Sequence, residues 1–185
     1  MSELKFQLAC EILKQGKLIA YPTEAVWGIG CDPFNQAAVH KILQLKRREI
    51  GKGLILVAAN IEQLGGLLDS LSAQQLATLE ASWPGPVTWL IPDPQNVIPA
   101  WIKGDFQSVA IRVSAHPVVR ELCLAYGGPI VSTSANTAGQ PEIRSRIILE
   151  QQFAGSIDYI VSGELGAQSQ TSEIRDLVSG EVIRG

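Results

Sequence analysis

The run Leu54-Ile55-Leu56-Val57-Ala58 restricts how this chain can fold more than any other segment. Five consecutive apolar residues are typical of a β-strand that is covered on both faces. An amphipathic helical pattern precedes this run, with Ala38, Val39, Ile42 and Leu43 on one face. A doubly covered strand beside amphipathic helices predicts an α/β fold.

Strand-like and helix-like segments alternate along the rest of the chain without an internal repeat. We expect further strands near residues 18–21, 26–30, 87–91, 108–113, 130–132 and 159–161, with two short strands at the C terminus. We expect helices before Gly16 and near residues 74–82, 117–126 and 143–153, and another that Asp32 caps and Pro33 opens. The irregular order predicts one domain over residues 1–185, built as a mixed sheet flanked by helices.

Charged residues are few in this chain, but they are unevenly placed. They make up 18% of the sequence, and the formal net charge is −3. Residues 41–52 nevertheless carry five cations and one carboxylate, a local net charge of +4. The acidic balance argues against a broad cationic surface for nucleic acid, so we expect an anionic ligand at this segment. The alternative is that these cations only offset the dipole at a helix C terminus and stay solvated.

Cys10, Cys31 and Cys123 are widely spaced and form no CxxC pair, which is typical of reduced thiols in the cytoplasm. With His40 and His116 as the two histidines, the sequence offers no recognisable cluster of metal ligands. No stretch reaches the roughly 18 uncharged apolar residues that are needed to span a bilayer. We therefore expect a cytoplasmic protein with no metal site and no membrane segment.

Small polar residues follow one predicted strand, at Ser132-Thr133-Ser134-Ala135-Asn136. Ligands of α/β sheets bind beyond the carboxyl ends of strands, where hydroxyl and amide groups can hold a phosphate or a purine edge. The same residues are also typical of a turn whose side chains cap backbone groups. Both interpretations stay open.

Arg112 lies in the predicted strand Val109-Ala110-Ile111-Arg112-Val113. Alternation along a strand places Arg112 on the same face as Ala110, opposite the more apolar face. It is either an ordinary arginine that faces solvent or a clamp for a carboxylate.

Five motifs, taken in their order and spacing, resemble a known family. They are Tyr21-Pro22-Thr23-Glu24-Ala25-Val26-Trp27-Gly28-Ile29-Gly30-Cys31-Asp32, Lys46-x-Arg48, Trp83-Pro84-Gly85-Pro86-Val87-Thr88, the strand around Arg112, and Ser132-Thr133-Ser134-Ala135-Asn136. Together they resemble the YrdC-type threonylcarbamoyl-AMP synthases in their short bacterial form. The resemblance runs from about Leu18 to the C terminus and implies a twisted mixed sheet around a large concave cavity.

The resemblance implies an enzyme that joins L-threonine, bicarbonate and ATP into threonylcarbamoyl-AMP and releases pyrophosphate. The product would supply the group that modifies N6 of adenosine 37 in tRNA, and a separate threonylcarbamoyl transferase complex would perform that transfer. A weak contact with tRNA or double-stranded RNA is also implied. Mg²⁺ would accompany ATP, with no tightly bound cofactor.

The resemblance also assigns roles to individual residues. Lys46 and Arg48 would be the catalytic residues, and together with Lys52 they would hold the triphosphate. The remaining nucleotide contacts implied by the family are Ser108, Asn136, Arg144 and Arg184. The implied threonine contacts are Thr23, Arg112, Ser134 and Ser172, with Arg112 paired to the amino-acid carboxylate.

Two positions depart from the family pattern. Glu49 stands where the family often has proline, which adds a negative charge beside the expected phosphate site. Val57 stands where some longer members have a histidine that helps to bind threonine. The loops 92–99 and 163–166 are candidates, by composition, for closing the cavity.

Two rival functions fit parts of the same pattern. One is a non-catalytic module that binds double-stranded RNA or tRNA through the cationic segment. The other is a carbamoyl-transferring domain of the hydrogenase-maturation type, although such domains are normally fused to zinc-finger and acylphosphatase-like regions for which 185 residues leave no room.

Overall fold

The computed structural model describes residues 2–184, and their strands form one mixed sheet of nine strands. The strands are β1 (Ile19–Pro22), β2 (Trp27–Gly30), β3 (Ile55–Ala58), β4 (Val87–Pro92), β5 (Ser108–Val113), β6 (Ile130–Ser134), β7 (Tyr159–Ile160), β8 (Glu173–Asp176) and β9 (Val182–Arg184). The helices are α1 (Ser2–Lys14), α2 (Gln36–Lys46), α3 (Ala73–Ser82), α4 (Ala100–Lys103), α5 (Pro117–Tyr126) and α6 (Arg146–Gln152). Two 3₁₀ segments, Ile50–Lys52 and Ile61–Leu68, flank β3.

The strand order is β7-β1-β2-β6-β3-β5-β4-β8-β9, which places β3 at the centre of the sheet. β3 runs parallel to β5 and antiparallel to β6. The prediction of an α/β fold with a mixed sheet is therefore confirmed.

The central strand β3 is covered on both faces, as its apolar run predicts. Leu56 packs with Ile42 of α2 in one buried cluster, whereas Val57 packs with Leu13 of α1 and Leu122 of α5 in another. Neighbouring strand residues point to opposite faces, so the two clusters lie on opposite sides of the sheet. Each fully buried aliphatic side chain contributes about 1.5–3 kcal/mol to folding.

The start of α2 differs from the sequence prediction. Asp32 does not cap this helix, because its Oδ1 accepts a hydrogen bond from the backbone N–H of Phe34, 2.8 Å away, within a turn. Asn35 is the N-cap, and its Oδ1 accepts from the N–H of Ala38 at 3.1 Å. A side chain that bonds the backbone two residues onward favours a turn, and this turn delays the helix to Gln36.

The helix expected at residues 143–153 is shorter than its apolar pattern predicts, since α6 begins at Arg146. The carbonyl of Ile143 accepts a hydrogen bond from the N–H of Trp27 in β2 at 2.9 Å. This pairing with the sheet keeps residue 143 out of the helix. Within residues 2–184, no helix is both long and apolar enough to cross a bilayer.

Candidate functional site

A cavity of about 360 Å³ opens where several parts of the chain meet. They include the loop between β1 and β2, the C terminus of α2, strands β3 and β5, the end of β6, and the segment 168–172 together with β9. Nine of the predicted site residues line this cavity: Thr23, Lys46, Arg48, Lys52, Arg112, Ser134, Asn136, Ser172 and Arg184. The fold thus gathers the predicted nucleotide and threonine contacts around one space.

Lys46 is the last residue of α2, and its ammonium group is buried against the turn that follows β6. Its Nζ donates to the main-chain oxygen of Asn136 at 2.7 Å, to Asn136 Oδ1 at 3.1 Å, and to the main-chain oxygen of Ser134. Burial, with a smaller effect from Arg48, lowers the pKa of Lys46 to about 8. All three ammonium protons are therefore used to hold the β6 turn.

Arg48 follows Arg47, a residue with the left-handed φ of 51° that ends α2. Arg48 Nε donates to the main-chain oxygen of Gly53 at 3.1 Å, and Nη2 donates to that of Lys52 at 3.2 Å. These bonds use two of the five guanidinium N–H groups and aim the planar group along the cavity wall. Arg48 thus both organises the loop that carries Lys52 and lines the cavity.

Glu49, the first departure from the family pattern, is not among the residues that line the cavity. Its side chain is 80% exposed and forms an ion pair with Lys52, with Nζ 3.4 Å from Oε1. Exposed pairs of this kind contribute little to stability. The extra charge at position 49 is therefore largely solvated.

Arg184 comes from the opposite end of the chain and joins the same cavity through β9. Its Nη2 donates to the main-chain oxygen of Ser172 at 3.2 Å. Burial, and then the positive charge of Arg184, lowers the pKa of Arg48. Two guanidinium groups that repel each other across a cavity are typical of an anion site.

The polar residues at the end of β6 form the turn that one interpretation predicts, and they also line the cavity, where ligand binding stays a prediction. Ser134 Oγ donates to Asn136 Oδ1 at 2.7 Å, and Asn136 Nδ2 donates to the main-chain oxygen of Gln140 at 2.7 Å. Ser134 Oγ can still accept a hydrogen bond from a ligand, and the second amide proton of Asn136 can still be donated to one.

Arg112 is buried and faces the cavity, which rules out the solvent-facing interpretation. It is 8% exposed and lies opposite Val57, the other departure from the family pattern, which also lines the cavity. Its Nη1 lies 2.7 Å from Oε2 of Glu24, so a carboxylate of the protein itself engages part of the guanidinium.

Glu24 sits in the loop between β1 and β2 and is the main cavity residue that the sequence interpretation missed. Its Oε1 accepts a hydrogen bond from Ser114 Oγ at 2.6 Å. Burial by itself would raise the pKa of Glu24, but Arg112 and Ser114 outweigh burial and hold the pKa below its ordinary value. Glu24 is part of the first family motif, which was the available signal.

The hydroxyl groups of two further predicted threonine contacts, Thr23 and Ser172, already form hydrogen bonds within the protein. Thr23 Oγ1 donates its proton to the main-chain oxygen of Val26 at 2.7 Å, so it can only accept from a ligand. Ser172 Oγ shares a hydrogen bond with Thr88 Oγ1 at 2.8 Å.

Ser108 and Arg144 lie outside the cavity lining. Ser108 opens β5 and pairs with Pro92 of β4. Arg144 donates to the main-chain oxygens of Gln168 and Ser169, at 3.5 and 2.5 Å. Because Gln168 itself lines the cavity, Arg144 anchors one wall instead of forming part of it.

The two loops proposed for closure lie in different surroundings. Asp93 folds the loop 92–99 back on itself by accepting from the N–H groups of Val97 and Ile98, and this loop does not line the cavity. Residue Gly166 of the other loop donates its N–H to the carbonyl of Thr23 at 2.9 Å. The loop 163–166 therefore leads directly into the cavity wall.

The sequence model of the Sua5/YciO/YrdC family, described as "Telomere recombination", matches residues 11–185. The chain belongs to the Sua5/YciO/YrdC family. A family member named threonylcarbamoyl-AMP synthase, from Pseudomonas aeruginosa, is 51% identical over 184 residues, which is 100% of this chain and 98% of the relative. A second with that name, from Cellvibrio japonicus, is 49% identical over 176 residues, covering 95% of this chain and 93% of the relative.

Solved structures of the Sua5/YciO/YrdC family share the fold. Sua5 from P. abyssi, crystallised with L-threonine, is 31% identical with a TM-score of 0.89, and 98% of this chain matches 53% of that one. This chain therefore spans about half the length of that Sua5. YciO from E. coli has a TM-score of 0.81 at 20% identity, a likeness that concerns the fold alone. The predicted family and fold are both confirmed.

Proposed function

We propose that this chain is an enzyme that converts L-threonine, bicarbonate and ATP into threonylcarbamoyl-AMP, pyrophosphate and water. The observation that carries this proposal is the cavity itself, which combines a cluster of cations with a buried arginine suited to a carboxylate. Relatives that match over their full length bear the name of this activity, which confirms the predicted enzyme class. They do not support the alternative of a non-catalytic RNA-binding module.

The triphosphate of ATP would lie along Arg48, Lys52 and Arg184. Lys46 would act on it through its positive charge, because its three protons already bond the β6 turn. Arginine offers a planar fork to phosphate oxygens, whereas lysine acts as a point charge. Transfer at phosphorus depends mainly on positioning and on neutralising charge. A wall of cations supplies both without a protein nucleophile.

Threonine would bind with its carboxylate on the Arg112 N–H groups that face the cavity. Thr23 Oγ1 accepts but cannot donate, so it suits the ammonium or hydroxyl protons of the amino acid. The hydroxyl groups of Ser134 and Ser172 would contact the same substrate. This arrangement would leave the threonine nitrogen facing the phosphate region.

The chemistry then needs two steps. The threonine amine attacks bicarbonate, and loss of water gives a carbamate. A carbamate oxygen attacks the α-phosphorus of ATP, and the bond to the β-phosphate oxygen breaks to release pyrophosphate. The cations around the triphosphate stabilise the negative charge that develops on the leaving group.

Mg²⁺ is proposed as part of the ATP substrate. Within residues 2–184, no group of three or more His, Cys, Asp or Glu residues is arranged to hold a metal ion. Glu24 already serves Arg112 and Ser114. Phosphate oxygens of ATP and water molecules would therefore supply most of the ligands of Mg²⁺, as is usual for this ion. No tightly bound cofactor is proposed.

The product would serve tRNA modification at N6 of adenosine 37 through a separate threonylcarbamoyl transferase complex. A cytoplasmic location and a weak contact with tRNA or double-stranded RNA belong to the same proposal. Lys41 and Arg47, the exposed cations of residues 41–52 that the ATP assignment does not use, are where an RNA phosphate would lie.

Pyrophosphate release tests the function directly. The protein is incubated with Mg²⁺, ATP and bicarbonate, with and without L-threonine, and the adenylate is detected by mass spectrometry. We expect pyrophosphate and an adenylate of the predicted mass only when threonine is present. A lack of any threonine-dependent product would contradict the proposal, and RNA affinity that falls steeply with salt and ignores both substrates would favour the RNA-binding alternative.

A further inference from the structure

We propose that Glu24 is a positioning residue that orients Arg112 for the carboxylate of the amino-acid substrate. This inference rests on the proposed function, because it concerns how the threonine end of the cavity is held in place. Glu24 holds one nitrogen of the guanidinium, and the substrate would meet the other N–H groups from the cavity.

The contacts around the carboxylate support this role. Glu24 Oε2 lies 2.7 Å from Arg112 Nη1, and Oε1 accepts from Ser114 Oγ at 2.6 Å. The ion pair is almost enclosed, with side-chain exposures of 9% for Arg112 and 10% for Glu24. The position of Arg112 is thus defined by a charged partner on one side and by its strand on the other.

The second oxygen of the carboxylate, Oε2, is buried beside Arg112. This oxygen is inaccessible to solvent, although other atoms of Glu24 line the cavity. The effect of this oxygen on a ligand therefore passes through Arg112.

The backbone of Glu24 is fixed as firmly as its side chain. Its carbonyl accepts the N–H of Gln168 at 3.0 Å, in the segment that forms a cavity wall. Gly166 packs so closely that a Cβ there would lie 2.6 Å from the Glu24 carbonyl oxygen. The loop after β1, the wall at residue 168 and the arginine on β5 are thereby joined through one residue.

An arginine that must bind a carboxylate benefits from such support. Its long side chain loses rotational freedom when it is held in one orientation, and a ligand that finds it already ordered does not bear that cost. Only one nitrogen of the guanidinium is engaged by Glu24, so Nη2 and Nε keep their N–H groups for the substrate. Glu24 thus leaves the binding edge of Arg112 free while restricting its motion.

The test compares Glu24→Ala, Glu24→Gln and, as a matched control, Glu80→Ala, which changes an exposed glutamate of α3 outside the cavity. Affinity for L-threonine is measured by calorimetry without ATP, and the KM values for threonine and ATP are measured by pyrophosphate release. We expect Glu24→Ala to weaken threonine binding roughly 3- to 10-fold, less than the loss of Arg112 itself, because the guanidinium remains and only its ordering is lost. The KM for ATP should change less than about threefold, because binding of the nucleotide does not use Arg112. Glu24→Gln keeps an acceptor oxygen and should fall between wild type and Glu24→Ala.

Two further measurements separate positioning from a general loss of structure. In an Arg112→Ala background, Glu24→Ala should cause no additional loss of threonine affinity, because the residue acts through Arg112. Should Glu24→Ala fail to fold, Ser114→Ala removes one support of the carboxylate and should weaken threonine binding in the same direction by a smaller factor.

The outcomes are distinct for the two proposals. Unchanged or tighter threonine binding in Glu24→Ala would overturn the positioning role alone, since Glu24 would then be neutral or a competitor for Arg112. Threonine binding by the wild type without an adenylate product would overturn the proposed reaction and still test Glu24. A wild type that binds no threonine at millimolar concentrations would overturn both.

Discussion

The ammonium group of Lys46, at the end of α2, lies 2.7 Å from the main-chain oxygen of Asn136, 90 residues further along the chain. This bond and its two companions tie the cationic segment to the polar turn after β6. The residue that the family pattern assigns to the triphosphate is thus also a structural link between the two halves of the cavity.

Replacing Lys46 by alanine should mainly impair the use of ATP. The change removes one cation from the phosphate region and releases the turn at Asn136, so we expect the KM for ATP to rise roughly 10- to 100-fold. The KM for threonine should change much less. Steady-state pyrophosphate release, with each substrate varied in turn, measures both effects.

The matched control for this variant is Lys41→Ala, which removes an exposed cation from the same helix. Lys41 donates to the carbonyl of Gly16 and does not line the cavity. Equal losses of ATP use in both variants would point to general electrostatics and contradict a specific role for Lys46.

The lowered pKa of Lys46 predicts that ATP binding weakens at alkaline pH. Burial brings this pKa to about 8, so the free protein loses the positive charge of Lys46 as pH rises from about 7 to 9.5. ATP favours the protonated form, and its affinity should fall by up to roughly tenfold per pH unit above the pKa. Binding is measured without threonine, because the threonine amine titrates in the same range.

The comparison that identifies the group is Lys46→Ala, which should bind ATP more weakly at pH 7 but with a flatter pH profile. Parallel profiles in wild type and variant would assign the pH dependence to another group.

Arg112→Ala should raise the KM for threonine roughly 10- to 100-fold, since a charge-assisted contact with the substrate carboxylate is lost. The same change leaves the buried carboxylate of Glu24 without its cation, which costs about 3–5 kcal/mol of folding stability. Thermal unfolding therefore has to accompany the kinetics, at a temperature where the variant remains folded. A folded variant with an unchanged threonine dependence would remove Arg112 from the substrate site.

Arg184→Ala tests whether the last strand contributes to nucleotide binding. Arg184 is exposed at the cavity edge, and water and salt screen its charge, so we expect a rise of only about 3- to 10-fold in the KM for ATP. The effect should shrink at higher ionic strength. Arg120→Ala, which removes an exposed arginine from α5, is the control, and an equal effect there would contradict the assignment.

Much of the fold could be predicted because it depends on local patterns. The apolar run of β3 indicates a strand covered on both faces, and both of its faces are buried against helices. The interpretation failed where a local alternative competes, as at Asp32, whose side chain forms a turn instead of capping α2. It also failed at Ile143, which was expected to be helical but instead accepts a hydrogen bond from the N–H of Trp27 in β2.

The candidate site could be predicted in its residue types and less well in its contacts. Nine residues named from the family motifs do line one cavity, whereas Ser108 and Arg144 lie beside it. The motifs contain Glu24 but do not indicate that its carboxylate pairs with Arg112. Nor do they indicate that the ammonium group of Lys46 donates its hydrogen bonds to the β6 turn.

By itself the sequence determined the alternation of strands and helices, the doubly buried strand and the cationic stretch of residues 41–52. These depend on the periodicity of side chains along a backbone and on local charge, which need no distant partner. The tertiary structure decided which of the cations converge, that Arg184 joins them from β9, and that Glu24 pairs with Arg112. Such contacts follow from the order of strands in the sheet, which brings together groups as far apart as Glu24 and Ser114, 90 residues distant in the chain.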